Sequence, residues 1–401
     1  MSEPLVSTLQ SDLDRLDRRD PQYPTSVVDR ILARAAELGV SDVHLQPTPD
    51  GLDVRWRIDG VLAPAARLSV EVAPRIIARL KVLADLLTYR TELPQEGRIR
   101  GVPGSVEMRL STLPTLHGEK AVVRMFAGAG RYLGLADLGL PGDILSVIER
   151  RLTATSGALV FAGPAGSGKT TTLYASLRAI AAASLGRRSL TTLEDPIEIA
   201  VPGVAQSQVN PHVGFTMEIG LRALLRQDPE VIAVGEIRDK GTAEVAFQAS
   251  LTGHLVLSTF HAGSTAAVVG RLSDMEIEPY LLRSGLLAVV AQRLVRRLCS
   301  CSRETDDAGL ALGLELASFR VPVGCELCGG SGYRGRLLLA ELFLPDAPTV
   351  GRAILDRVDV GRLESIACEA GMIPLRQRAR EAVATGQTDP AEIRRVLGAG
   401  D

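Results

Sequence analysis

From residue 25 to 38 the apolar positions Val27, Val28, Ile31, Leu32, Ala35 and Leu38 recur at three- and four-residue intervals, the spacing of one buried helix face. Thr25 or Ser26 is placed to cap this helix and Gly39 to end it. The period then changes. Val54, Trp56 and Ile58 alternate with Asp53, Arg55 and Arg57, and turn residues stand at Pro49-Asp50-Gly51 and Asp59-Gly60, which predicts strand, turn and strand. A helix over 71–87 and more strands over 97–126 complete a small mixed domain. The polar, proline-bearing stretch 1–24 ahead of it reads as a flexible lead-in.

The glycine-rich segment 126–143 reads as a hinge. Beyond it, short wholly apolar runs alternate with helical stretches: a strand at 158–163, a helix from 168, strands at 189–194 and 231–235, a helix at 241–251 and a strand at 254–259. Strands apolar on both faces belong to a buried parallel sheet. From about 280 onward the pattern reads as helical, interrupted by a cysteine segment and the strand-like run RLLLAELFL.

Length and composition narrow the class. A chain of 401 residues makes two or three domains. With only 3% aromatic residues, the cores must be built from Ala, Leu, Val and Ile. A net charge of −2 argues against a broadly basic surface, so no nucleic-acid partner is expected. No run approaches about 18 apolar residues, and the N-terminus lacks a basic segment followed by an apolar one, so neither a membrane span nor a signal peptide is expected. The expected compartment is the cytoplasm. Of the five cysteines, Cys299, Cys301, Cys325 and Cys328 cluster and Cys368 stands apart. In such a chain the cluster points to metal rather than disulfides. Four thiolates suit tetrahedral Zn²⁺, although the CxC pair bites more tightly than CxxC; reduced thiols without metal are the alternative. Cys368 reads as a packed free thiol.

The sharpest chemistry lies in GPAGSGKT, which fits G-x-x-x-x-G-K-[ST] at every required position. Gly163, Pro164, Ala165, Gly166, Ser167 and Gly168 would turn backbone N–H groups around the phosphates of ATP. Lys169 would reach the β- and γ-phosphates, Thr170 would ligate Mg²⁺, and Thr171 would continue into the helix. Such a loop needs acidic partners for magnesium and for the attacking water. Glu194-Asp195 and Glu236 each follow an apolar strand, where parallel sheets bind ligands. His254 and His261 flank LVLST; either could sense the γ-phosphate or satisfy local hydrogen bonds.

These segments, in order SDVHLQP, RWRIDGVL, LPQEGRI, RLSTLPTLHGEK, GPAGSGKTTTLY, TLEDPIE, GLRALLRQDPEVIAVGEIRD, LTGHLVLSTFHA, QRLVRRLC, CELCGGSGYRGR and GMIPLR, resemble the secretion and pilus assembly ATPases of the GspE and PilB type. The resemblance runs from about Ser41 to the C-terminus. It implies a small N-terminal α/β domain, PAS-like, and a RecA-like P-loop ATPase core with a metal-binding insert and a helical C-terminus. The expected boundaries are 25–127 for the first domain, 128–143 for the linker, 144–294 for the core, 295–338 for the cysteine module and 339–401 for the helical region.

The same resemblance implies roles for residues. Glu194 would position the attacking water and Glu236 would help hold Mg²⁺, with the exchange of the two left open. His254 and His261 form the family's histidine box. Arg222, Arg226 and Arg238 match arginines of its nucleotide cleft, and Arg109 and Arg124 match those reaching in from the N-terminal domain. It further implies a homohexamer on the cytoplasmic face of the inner membrane, working with platform and cytoplasmic-domain proteins of a type II secretion system or a type IV pilus. Two departures stand out. FHAGS replaces the LHTN of many relatives, which puts the role of His261 in more doubt than that of His254. Only some 24 residues precede the first domain, too few for the N-terminal adaptor many relatives carry. A nucleic-acid motor using the helical run QRLVRRLCSCSR, with Arg293, Arg296 and Arg297, is the alternative, and a small-molecule kinase is a further one.

Overall fold

The computed structural model describes residues 5–99, 107–125, 134–314 and 316–398, in two compact units. The first comprises Met1–Gly130, Arg296–Glu304 and Arg320–Arg336; the second comprises Arg131–Val295, Thr305–Phe319 and Leu337–Asp401.

The first unit begins with helices α1 (Leu5–Asp14) and α2 (Tyr23–Glu37). Strands β1 (Asp42–Thr48), β2 (Gly51–Ile58) and β3 (Val61–Leu68), helix α3 (Ala73–Leu83), and strands β4 (Gln95–Ile99), β5 (Met108–Thr115) and β6 (Gly118–Met125) follow. The six strands form one sheet in the order β3-β2-β1-β6-β5-β4, antiparallel at every pairing. Its alternation is the one legible in the sequence: Val54 and Trp56 are buried while Arg55 is exposed. The three helices supply Leu9, Leu13, Val28, Ile31, Ile76 and Leu80 to the core on the buried face. The expected lead-in is therefore corrected: α1 lies within 1–24, and Leu9 and Leu13 are buried because its apolar positions are needed to cover this small sheet. The cap of α2 differs too. Its N-cap is Gln22, with no side-chain bond, and Pro24 lies in the first turn.

The second unit opens with helix α4 (Gly142–Arg151), β7 (Gly157–Ala162) and α5 (Lys169–Ser184). It continues through β8 (Leu190–Glu194), β9 (Ala205–Gln208), α6 (Met217–Leu224), β10 (Val231–Val234), α7 (Lys240–Leu251), β11 (Leu255–Phe260), α8 (Thr265–Asp274), α9 (Pro279–Gly285) and β12 (Leu286–Leu298). The ribbon strands β13 (Arg303–Thr305) and β14 (Phe319–Val321), then β15 (Tyr333–Phe343), α10 (Pro348–Leu355), α11 (Val360–Glu369), α12 (Leu375–Ala384) and α13 (Pro390–Leu397) complete the chain. A seven-stranded sheet in the order β15-β12-β7-β11-β10-β8-β9 runs through it. The pairings of β7, β8, β9, β10, β11 and β12 are parallel. Strands β7, β8, β10 and β11 are buried at every position, as both-sided helix cover requires.

One expectation fails here. The run QRLVRRLCSCSR is not helical: it lies on β12 up to Leu298 and then turns into the cysteines. An apolar run such as LLAVVAQRLV is read equally well as buried helix or buried strand, and its place between β15 and β7 decides for strand. Within the expected cysteine module, Arg296–Glu304 and Arg320–Arg336 group with the first unit and Thr305–Phe319 with the second. Residues 126–133 of the expected hinge lie outside the described residues; the remainder holds a 3₁₀ turn, Ala136–Leu138, and the start of α4.

Candidate nucleotide site

The phosphate loop joins β7 to α5. Gly163 has φ +151°, and a Cβ there would lie 2.4 Å from Ser167 Oγ and 2.7 Å from the Gln292 carbonyl oxygen. Only glycine fits. Gly168, at φ +92°, launches α5, whose first residue is Lys169. The Lys169 ammonium donates to the carbonyls of Gly163 (2.8 Å) and Pro164 (3.0 Å). Burial pushes its pKa down; Glu236 opposes that shift and Arg293 adds to it, so both charges act on the loop lysine. Ser167 Oγ is buried and, among the described residues, has no hydrogen-bond partner. This cradle at the head of a helix fits a phosphate group. Thr170 and Thr171, both half-buried, form the first turn of α5.

The two acidic segments come together at the carboxyl ends of β8 and β10. Gly235 N donates to Leu193 O (2.8 Å), and a Cβ on Gly235 would lie 3.2 Å from Glu194 Cα. Glu194 is buried, and its carboxylate accepts from Tyr174 Oη, from Thr192 Oγ1 (2.5 Å) and from Gln206 Nε2 (2.9 Å). Tyr174 in turn accepts from Glu198 N (3.1 Å), and burial, then Glu194, raises its pKa. Glu236 is more open and pairs with the exposed Arg238, which also lies 3.9 Å from Asp195.

The histidines separate. His261 follows β11 directly, where Gly163 N donates to Phe260 O (3.2 Å). His254 precedes the same strand, where Gly157 N donates to His254 O (3.2 Å), and its Nδ1 faces Ala249 O at 3.0 Å. Six strand residues intervene, about 20 Å at roughly 3.3 Å each. The two histidines expected together thus stand at opposite ends of one strand, and His261 is the one beside the phosphate loop.

Arg222 is exposed on α6 and bonds Glu218 one turn away (3.0 Å); Arg226, just after α6, is exposed. Arg109 and Arg124 lie in the first unit as cross-strand partners on β5 and β6. Arg109 pairs with Glu96 (3.2 Å), and Arg124, 67% exposed, with Asp42 (3.1 Å). Also in the first unit, the sulfur atoms of Cys299, Cys301, Cys325 and Cys328 all lie within 4.8 Å of one another. The pairs Cys299–Cys325 and Cys325–Cys328 are 3.8 Å apart and Cys301–Cys328 3.9 Å. Four sulfurs at about 2.3 Å from a tetrahedral zinc would be about 3.8 Å apart. Burial raises the Cys328 pKa, but N–H groups of Cys325 and Gly332 and the neighbouring thiols outweigh it and bring it down to about 6. The set fits a thiophilic metal.

Sequence reading missed Tyr174, Thr192, Gln206, Gln292 and Glu341, and named Arg293 only as a surface residue. Tyr174 sits four residues after Thr170 on α5 and was legible as the same helix; the others carry no local signal.

A family model described as type II/IV secretion system protein matches residues 17–395. The chain belongs to that family. Among its relatives, type II secretion system protein HxcR of Pseudomonas aeruginosa is 38% identical over 394 residues, 98% of this chain and 81% of that protein. Type II secretion system ATPase E of Vibrio cholerae is 40% identical over 352 residues, 85% of this chain and 69% of that protein. The fold is shared with two solved structures. These are the pilus retraction motor PilT with bound ADP (24% identity, TM-score 0.60, covering 91% of this chain and 95% of that one) and the ATPase DotB of Legionella pneumophila (20%, TM-score 0.65, 95% and 96%). Mixed α/β architecture with a parallel P-loop sheet is thus the family fold, as the residues led one to expect. No described helix is long and apolar enough to cross a membrane.

Proposed function

We propose that this protein is the ATPase of a type II secretion system, hydrolysing ATP to drive assembly of pilin-like subunits. The observation that carries this reading is the phosphate loop with Lys169, flanked by Glu194 and Glu236 at adjacent strand ends, in a chain of the secretion family. In this reading the backbone of 163–168 and Lys169 hold the phosphates, Thr170 and Glu236 hold Mg²⁺, and Glu194 orients the attacking water. The magnesium neutralises charge on the phosphates. Releasing Glu194 toward water requires loosening its bonds from Tyr174, Thr192 or Gln206. His261 is the histidine next to the loop and senses the γ-phosphate. Arg222, Arg226 and Arg238 supply further positive charge, and Arg109 and Arg124 act on nucleotide in a hexameric ring.

The nucleic-acid alternative loses its support. Arg293 is buried, Arg296 stacks over the Tyr333 ring at 3.7 Å, and Arg297 is the exposed residue of the three. The proposed seat is the cytoplasmic face of the inner membrane, with membrane platform proteins as partners. Purified protein should release phosphate from ATP to water, with turnover per chain rising as rings form, and Lys169→Ala should abolish it while circular dichroism is unchanged. Transfer to an organic acceptor instead would establish a kinase. Silent Arg109→Ala and Arg124→Ala variants would remove the arginines from the reaction. The cysteine cluster holds one structural Zn²⁺, and metal analysis of active protein purified without chelator should find it, lost in a Cys325→Ser/Cys328→Ser variant.

A further inference from the structure

Arg293, on β12, is an unusual residue for a sheet interior. It is nine-tenths buried, and among the described residues it makes no ion pair; its guanidinium donates instead to two main-chain carbonyls, Gln292 O (2.9 Å) and Gly263 O (2.6 Å). A buried guanidinium without a directly bonded carboxylate is expensive to keep, and leucine would serve packing better. Both carbonyls matter by position. Gln292 O is the atom that a Cβ on Gly163 would strike at 2.7 Å, so it abuts the root of the phosphate loop. Gly263 is two residues past His261 and directly ahead of Ser264, the N-cap of α8.

The connections extend on both sides. Gln292 Nε2 donates to Thr172 Oγ1 (2.9 Å), and that hydroxyl bonds Gly168 O (3.2 Å) in the phosphate loop. On the far side, buried Glu341 of β15 accepts from Thr265 N (2.7 Å), Thr265 Oγ1 (3.1 Å) and Leu375 N (2.9 Å), so one carboxylate holds the first residues of α8 and α12. Burial pushes the Arg293 pKa down and the charge of Glu341 opposes that shift.

We propose that Arg293 is a positioning residue for ATP hydrolysis: its planar fork ties the root of the phosphate loop to the segment after His261, so that the phosphates and the histidine are held in one frame. The proposal rests on the ATPase reading above and adds to it a coupling device. A fork is required because two carbonyls on different segments must be held at a fixed separation, which a lysine ammonium on a flexible stem does not impose. Glu341 extends the frame to the C-terminal helices, so α8 and α12 are held to the same segment.

The test uses the full chain, with wild type and Lys169→Ala bracketing the assay. Arg293→Met should lower kcat about a hundredfold, the scale of an ångström misplacement, and leave KM for ATP and Kd for ADP within about threefold. His261→Ala and the His261→Ala/Arg293→Met double variant complete a cycle. The double variant should be no slower than the slower single variant, because both substitutions break one frame. Multiplying effects, or a raised KM and Kd with kcat unchanged, would overturn the proposal; the second pattern would make Arg293 a direct phosphate ligand. If Arg293→Met does not fold, Arg293→Lys carries the same cycle, with kcat reduced at least tenfold expected and wild-type kcat overturning it. Wild type no faster than Lys169→Ala would instead defeat the ATPase reading itself.

Discussion

The two sheets of this protein handle charge in opposite ways. In the antiparallel sheet of the first unit, Arg109, Arg124 and Arg57 stand on the open face and find carboxylates across neighbouring strands: Arg109 pairs with Glu96, while Arg57 and Arg124 share Asp42. In the parallel sheet of the second unit, Glu194, Arg293 and Glu341 are buried, and each is bound by more than one group, at least one of them from a distant segment. Water reaches the guanidinium groups of the first set and screens them. The second set has no water to fall back on, so removing one partner leaves the others unsatisfied. Charge in the parallel sheet is therefore held by several bonds at once, and charge on the antiparallel face by partners on the neighbouring strand.

The comparison can be broken most decisively at the two glutamates. Glu194→Gln and Glu236→Gln should each slow hydrolysis about 10²–10⁴-fold, the range for a residue handling the reacting water or its metal. Glu194→Gln should retain more ATP binding, because Glu236 and not Glu194 acts on Lys169. Equal loss of binding in titrations of the two variants would exchange their roles.

One buried pair in the first unit tests whether burial, rather than sheet type, sets the cost. Lys81 is fully buried and donates to both oxygens of Glu119 (2.7 and 3.0 Å) and to Arg90 O (2.8 Å). Lys81→Met should cost about 3–5 kcal/mol in urea unfolding, since it strands the Glu119 carboxylate. A loss under 1 kcal/mol would show that the pair is solvated in solution. The smallest effect belongs to the open face. Glu96→Gln, which removes the partner of Arg109, should change unfolding free energy by less than about 1 kcal/mol. A larger loss would mean that the arginine row behaves as a network.

Much of this was legible in the chain. Alternation at Val54, Trp56 and Ile58 led to β2, and the spacing from Val27 to Leu38 led to α2, because each element buries one face and the period reports which. The phosphate-loop motif was legible because its residues are contiguous in the chain. Failures fell where a segment's fate depended on a distant neighbour. The helical reading of QRLVRRLCSCSR failed for that reason, and with it the surface role given to Arg293. That His261 and His254 stand at opposite ends of β11 was likewise not legible, because sequence spacing cannot say which end of a strand meets the phosphate loop.

By itself the sequence determined the elements with a clear period, the phosphate-binding loop, the acidic strand ends and the family, all properties of contiguous residues acting through local geometry. Tertiary structure alone decided that Glu194 is held by Tyr174 and Gln206, that His261 and not His254 adjoins the phosphate loop, and that Arg293 joins Gly263 to the root of that loop. The reason is physical: a parallel sheet aligns the carboxyl ends of strands far apart in the chain, and a buried polar group takes whichever partner that alignment brings within hydrogen-bond reach.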